Sequence, residues 1–92
     1  MAIFLLNTDN RLIHLHNKLL QKNYPAHLCS FEEIIKKTKL QDLIVLPPNF
    51  KWTVEQAELL PQKISLICGN VKDDVNKIFN KKNIVYKNLM ED

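Results

Sequence analysis

Glycine is nearly absent from this chain, since Gly69 is the only one among 92 residues. Glycine-rich turns let the backbone approach a phosphate closely in dinucleotide-binding folds and in P-loops, and one glycine cannot form either motif. Cysteine is scarce too. Cys29 and Cys68 lie far apart, at the ends of apolar runs, without the close spacing of zinc or redox motifs. We therefore expect no NAD(P) or ATP bound in the usual geometry, no metal site, and two cysteines that act as small buried hydrophobic residues.

Long apolar runs and one-sided charge are missing as well. No stretch approaches the roughly 20 apolar residues of a membrane-spanning helix, and the N-terminal residues lack the basic segment of a signal peptide. The net charge of +3 comes from 13 basic and 10 acidic residues that are interspersed along the chain. A nucleic-acid-binding surface favours a clustered basic stripe instead. These absences predict a cytoplasmic protein that contacts neither membrane nor nucleic acid.

The sequence does contain enough apolar material for one core. Hydrophobic residues make up 46% of the chain, and its length suits a single domain spanning residues 1–92. Five short apolar runs, typical of strands buried on both faces, lie at residues 2–7, 26–30, 42–48, 63–70 and 83–89. Four segments between them have helical periodicity, and their predicted N-terminal signals are Asp9 or Asn10, Ser30 with Glu33, Thr53 with Gln56, and Asn70.

This alternation of strands and helices predicts the fold class. It indicates an α/β, flavodoxin-like or Rossmann-like three-layer sandwich, with a five-stranded parallel sheet in the order 2-1-3-4-5. The carboxyl ends of parallel strands lie along one edge of such a sheet. Ligands bind at this edge, near the point where the strand order reverses between strands 1 and 3. The residues that follow the strands are therefore the candidates for a functional site.

Charged and polar residues follow strands 1 and 4. Arg11 offers a fork that can bind a carboxylate in a bidentate manner, with Asp9 beside it. The alternative is that Asp9 only caps the helix and Arg11 is a solvated residue of its first turn. Gly69 and Asn70 predict a tight turn with a helix cap, and their backbone N–H groups are a second candidate for binding an anion.

Two prolines, Pro47 and Pro48, follow strand 3 directly. A phosphate-accepting receiver domain requires an aspartate at this point, so the chain does not fit that function. Pro47 fixes its own φ and has no N–H to donate, which predicts a rigid wall of the strand-end cleft. Phe50 and Trp52 come next, and two roles stay open for them: a cap on the core or part of an interface.

The succession of these edge segments resembles the N-terminal domain of dipicolinate synthase, in the NADP-binding chain of that enzyme. In that family, strand 1 leads into a Gly-Gly-Asp-x-Arg loop, strand 3 ends in Leu-Pro, strand 4 ends in a glycine, and a Leu-Met or Leu-Glu stretch closes the domain. Asn7 and Thr8 replace the paired glycines here. The matching positions are Asp9, Arg11, Leu46-Pro47, Gly69 and Leu89-Met90-Glu91.

The resemblance implies a function. In the family this domain precedes an NADP-binding domain, and the whole bacterial enzyme contributes to dipicolinic acid synthesis during sporulation. It implies here a substrate-side or assembly domain that does not catalyse alone, with Asp9, Arg11, Pro47, Gly69 and Asn70 lining a cleft for a small carboxylate ligand. The alternative is a module for protein interaction or metabolite sensing, which pairs with itself or a larger enzyme subunit through an edge strand or the loop of Phe50 and Trp52.

Overall fold

A computed structural model describes residues 1–88 and shows strands alternating with helices throughout. The predicted closing stretch Leu89-Met90-Glu91 lies outside the described residues. The elements in chain order are β1 (Ile3–Leu6), α1 (Asn10–Gln21), β2 (Ala26–Cys29), α2 (Phe31–Lys37), β3 (Leu43–Val45), α3 (Val54–Leu59), β4 (Ser65–Cys68), α4 (Asp73–Lys81) and β5 (Val85–Asn88).

The five strands form one parallel sheet in the order β2-β1-β3-β4-β5. This confirms the predicted α/β three-layer class and the predicted strand order. β1 is buried along its whole length because it lies inside the sheet and is covered on both faces. β5 is an edge strand, and every second residue along it is exposed. The strand order reverses between β1 and β3, so the loops after these two strands flank the expected ligand position.

Each sheet face has its own cover of helices. Phe79 of α4 is fully buried, and its ring contacts the Tyr86 ring of β5 edge-on, with centroids 5.6 Å apart. α4 therefore covers the face that carries Tyr86 and its in-register neighbour Leu66. Right-handed crossovers put α2 and α3 on this same face and α1 on the other. Val85 and Ile67 lie on the α1 side, where Val85 is 71% exposed.

Local capping explains where three helices begin. Asp9 caps α1, and its side chain accepts a hydrogen bond from the Arg11 N–H. Both predicted capping boxes are confirmed, Ser30 with Glu33 at α2 and Thr53 with Gln56 at α3. These reciprocal bonds satisfy N–H groups that have no partner inside the helix.

The predicted cap of α4 is wrong. Asn70 does not cap this helix, because α4 begins only at Asp73 and its N-cap residue is Lys72, which makes no side-chain cap bond. Val71 packs against the core in the segment between β4 and the helix. The Asn70 side chain instead accepts a hydrogen bond from the Asn88 amide at the end of β5.

Left-handed backbone occurs in each turn that leads from a helix into a strand. The residues with φ between 56° and 72° are Asn23, Gln41, Lys63 and Asn83, which lie shortly before β2, β3, β4 and β5. Glycine adopts this conformation without strain, whereas a residue with a Cβ loses roughly 1 kcal/mol or more. In this glycine-poor chain, asparagine and longer polar residues therefore occupy the left-handed positions that glycine would adopt without strain. The single glycine serves another purpose, described below.

Within residues 1–88, none of the helices has the length and apolar character needed to cross a membrane.

Candidate functional site

An open cleft of about 570 Å³ lies at the carboxyl edge of the sheet, between the loops that follow β1, β3 and β4. Its position is the one that the fold class predicts for a ligand. Two of the predicted site residues, Arg11 and Asn70, line it directly. The residues along its walls are Arg11, Pro48, Asn49, Phe50, Lys51 and Asn70.

Three predicted residues, Asp9, Pro47 and Gly69, are not part of this lining, but each contacts or adjoins a residue that is. Pro47 is buried at the end of β3, so Pro48 provides the exposed surface. Gly69 packs directly against this proline loop. A Cβ built on Gly69 would lie 1.8 Å from the Pro48 carbonyl oxygen and 2.7 Å from the Pro48 carbonyl carbon. The single glycine of the chain therefore supplies space, and its φ is not positive.

Asp9 holds Arg11 at one end of the cleft. The Asp9 Oδ1 accepts hydrogen bonds from the Arg11 backbone N–H at 2.8 Å and from Arg11 Nε at 3.1 Å, and Oδ2 accepts from Nη2 at 2.8 Å. Hydrogen bonding by the Arg11 side chain lowers the pKa of Asp9, and the same contact raises the pKa of Arg11. The predicted helix cap is confirmed, and Asp9 also orients the guanidinium, while ligand binding by Arg11 stays a prediction.

A smaller and more enclosed cavity of about 240 Å³ adjoins the cleft. It shares Phe50, Lys51 and Asn70 with the cleft, and Trp52 and Lys72 complete its lining. Neither Lys51 nor Lys72 has an ion-pair partner within residues 1–88. Sequence reasoning did not select these lysines. The only signal was their position, since both follow strand ends, whereas the other lysines lie in helices, in turns that precede strands or within β5.

Aromatic rings form the back of the smaller cavity. The Phe50 and Trp52 rings meet edge-on at 5.0 Å, and Trp52 packs in the same manner against Phe79 at 5.2 Å. Phe31 of α2 stacks on Phe50 at 5.5 Å. Tyr86 extends the chain of rings beyond Phe79, and its hydroxyl donates to Asn76 Oδ1 at 2.9 Å. Trp52 therefore caps the core, while the predicted interface role of Phe50 and Trp52 stays a prediction.

The inner edge of the Trp52 indole packs beside the Cys68 thiol. Its Nε1 is buried and forms no hydrogen bond of ordinary geometry with the residues that the structure describes. Burial raises the pKa of the Cys68 thiol, and the nearby Trp52 N–H offsets this only in part. A thiol is a weak acceptor, so the contact is a packing contact more than a true hydrogen bond. Both cysteines are free and buried, as predicted.

Groups for metal binding do not converge in the part of the chain that the structure describes: residues 1–88 contain no cluster of three or more histidine, cysteine, aspartate or glutamate side chains that could hold an ion. The cleft offers instead one guanidinium, two ammonium groups and two asparagine amides beside aromatic walls. These groups donate hydrogen bonds and carry positive charge, so the arrangement suits an anion.

Comparison with known proteins gave no match, since no family model, no curated protein and no solved structure matches this chain.

Proposed function

We propose that this chain is a substrate-side domain of an oxidoreductase that resembles dipicolinate synthase, and that its strand-end cleft holds a small carboxylate ligand. The observation that carries the proposal is the lining of the 570 Å³ cleft, where Arg11, Lys51 and the amides of Asn49 and Asn70 converge at the carboxyl edge of the sheet. Resemblance in the strand-end segments suggests the same ligand class.

The geometry of Arg11 suits this role. The Asp9 carboxylate accepts hydrogen bonds from Nε and Nη2 of Arg11, so the two N–H donors of Nη1 remain for a ligand. The Arg11 side chain is 64% exposed, whereas that of Asp9 is only 15% exposed. Asp9 thus restricts the rotamers of Arg11 before a ligand arrives, which lowers the entropy lost on binding. In this proposal Asp9 is a positioning residue and Arg11 contacts the ligand.

The proposed domain does not catalyse alone. Dinucleotide chemistry needs a glycine-rich turn, and the single glycine, Gly69, packs against Pro48 and follows β4. In this proposal a second domain or subunit supplies the NADP and the hydride transfer, and the chain works with it in the cytoplasm of a sporulating bacterium.

An NMR titration tests the proposal. Adding dipicolinate at millimolar concentration to the labelled chain is expected to shift the amide resonances of Arg11, Asn49, Lys51 and Asn70 in a saturable way. The Arg11→Ala variant should lose most of this response. Lys18→Ala is the matched control, because Lys18 lies on the same helix about 10 Å along its axis from Arg11. The absence of saturable shifts in the wild-type chain would sink the proposal.

A second candidate function is an interaction module, and the exposed edge strand favours it. Val85 is 71% exposed on the edge strand β5, where its partner in the neighbouring strand β4 is the exposed Ser65. Sedimentation should then show a concentration-dependent dimer that Val85→Lys dissolves. Trp52→Ser is a poorer probe, since Trp52 packs on the core and its loss also disturbs folding. A strict monomer at all concentrations counts against self-pairing.

A further inference from the structure

Among residues 1–88, the positive charge at the cleft that has no ion-pair partner belongs to lysines and not to Arg11. Asp9 neutralises Arg11 through a bidentate contact, whereas the ammonium groups of Lys51 and Lys72 have no ion-pair partner among residues 1–88. Both lysines line the smaller cavity, together with the Asn70 amide. An anion is therefore attracted most strongly to this cavity and less to the predicted arginine.

The kind of cation indicates the kind of anion. A planar guanidinium matches a planar carboxylate, and the only arginine of the chain is already engaged by one. Lysine instead acts as a compact point charge with three donors that adapt to a tetrahedral oxyanion. A phosphate monoester carries a charge of about −1.5 to −2 near neutral pH and three acceptor oxygens. Two lysines balance this charge on one group, whereas a single carboxylate group in the same cavity leaves one of them uncompensated.

We infer that the 240 Å³ cavity lined by Lys51, Lys72 and Asn70 is a subsite for a phosphoryl group, so that the ligand of the strand-end cleft is a small phosphate monoester. This inference rests on the proposed function insofar as both use the same cleft. It departs from that proposal in the chemical class of the ligand and in the residues that hold its charge.

The surroundings of the cavity fit such a ligand. Its volume, room for roughly eight water molecules, accommodates a phosphoryl group with part of its hydration. Phe50 and Asn70 line both cavities, so the organic part of the ester extends past the Phe50 ring into the larger cleft. The acidic residues closest in sequence, Asp73 and Asp74, are exposed on the first turn of α4 and line neither cavity.

Two probes of matched shape test the inference. Phenyl phosphate and benzoate share a phenyl ring and differ in the anionic group, so their dissociation constants, measured by NMR titration in the same buffer and salt, compare the two chemistries. Phenyl phosphate is expected to bind about tenfold more tightly and to shift the Trp52 indole, Asn70 and Lys72 resonances. The double variant Lys51→Gln, Lys72→Gln should weaken phenyl phosphate by about tenfold or more.

The control is the double variant Lys18→Gln, Lys22→Gln, which removes the same charge from exposed positions at the other end of α1. It should change the affinity for phenyl phosphate less than about twofold, as expected for distant, screened charges. Equal affinity for the two probes, or equal weakening of phenyl phosphate binding by both double variants, overturns the inference. If dipicolinate still shifts the Arg11 resonance in a saturable way, the proposed function stands. No response to any of the three compounds overturns both.

Discussion

Adding one methyl group at Gly69 should damage both the stability and the cleft. In Gly69→Ala, the new Cβ lies 1.8 Å from the Pro48 carbonyl oxygen, although carbon side chains keep at least about 3.0 Å from such atoms. The proline loop or the end of β4 must therefore move by about 1.2 Å. The clash is with backbone, so no rotamer change relieves it.

The contacts around Gly69 determine how much stability the variant should lose. Overpacking a well-packed site costs about 1–3 kcal/mol, and we expect a value near 3 kcal/mol. The reason is that neither side yields easily: Pro47 and Pro48 have fixed φ angles, and Leu46 donates its N–H to the Ile67 carbonyl at 2.8 Å. Since the free energy of unfolding of a domain of this size is about 5–15 kcal/mol in total, the variant should still fold but unfold at a lower urea concentration.

Urea denaturation measures this effect, with the fluorescence of Trp52 as the probe because it is the only tryptophan. With a denaturant dependence of about 1 kcal/mol per molar urea, the midpoint should fall by about 3 M. Asn49→Ala is the control at an exposed position of the proline loop, and its free energy of unfolding should change by less than about 0.5 kcal/mol. A Gly69→Ala variant as stable as the wild type would refute the close approach of the two loops.

Four further predictions follow from other contacts. Asp42→Ala should lower the free energy of unfolding by roughly 1–2 kcal/mol in thermal or urea denaturation, because the carboxylate accepts two backbone N–H bonds at 2.9 Å that no other group replaces. Lys63→Gly should raise it by up to about 1 kcal/mol, since φ is 61° at this position; an unchanged midpoint contradicts the assigned backbone. Trp52→Phe should cost far less than the roughly 3–5 kcal/mol of Trp52→Ala, because it keeps ring packing and removes an N–H that has no hydrogen-bond partner among residues 1–88. Stability should be constant between about pH 5 and about pH 8 and fall in more acidic solution, because Asp9, Glu33 and Asp42 have lowered pKa values in the folded chain, so that the unfolded chain binds protons first as the pH falls through about 4; a flat profile down to pH 2 contradicts this.

The causes of these pKa shifts differ. In Asp42, burial raises the pKa, but hydrogen bonds from the backbone N–H groups of Ala2 and Lys39 lower it by more than burial raises it, together with nearby positive charge. In Glu33, the hydrogen bond from the Ser30 backbone is the largest contribution, and Lys37 adds to it. A group whose folded pKa is lowered stabilises the fold above its unfolded pKa, and this contribution disappears as the pH falls through the folded value.

The fold was predictable because its determinants are local. Continuous apolar runs such as Ile3–Leu6 indicated buried parallel strands, and the side chains of Ser30 and Thr53 marked helix starts that the structure confirms. The start of α4 was predicted incorrectly because Asn70 is a good capping residue in isolation, but Val71 packs against the core and delays the helix. A contact distant in sequence determined that outcome.

The site was only partly predictable for the same reason. The edge of the sheet followed from topology, and Arg11 with Asn70 lies there. Gly69 packs closely on Pro48, which is 21 positions earlier in the chain, and no sequence pattern in either loop predicts this contact. The position of Lys51 in the cavity lining could not be predicted either, because it depends on how the proline loop folds beside Asn70 and Lys72.

The most direct test of a ligand site at this edge is an NMR measurement of contacts between the Phe50 ring and a bound anion. With dipicolinate or phenyl phosphate in saturating amount, we expect intermolecular nuclear Overhauser effects from the ligand ring protons to Phe50 and to the Asn70 side-chain amide, two of the three residues that line both cavities. Saturable binding whose Overhauser effects all fall elsewhere on the chain, or no binding at millimolar concentration, would contradict it.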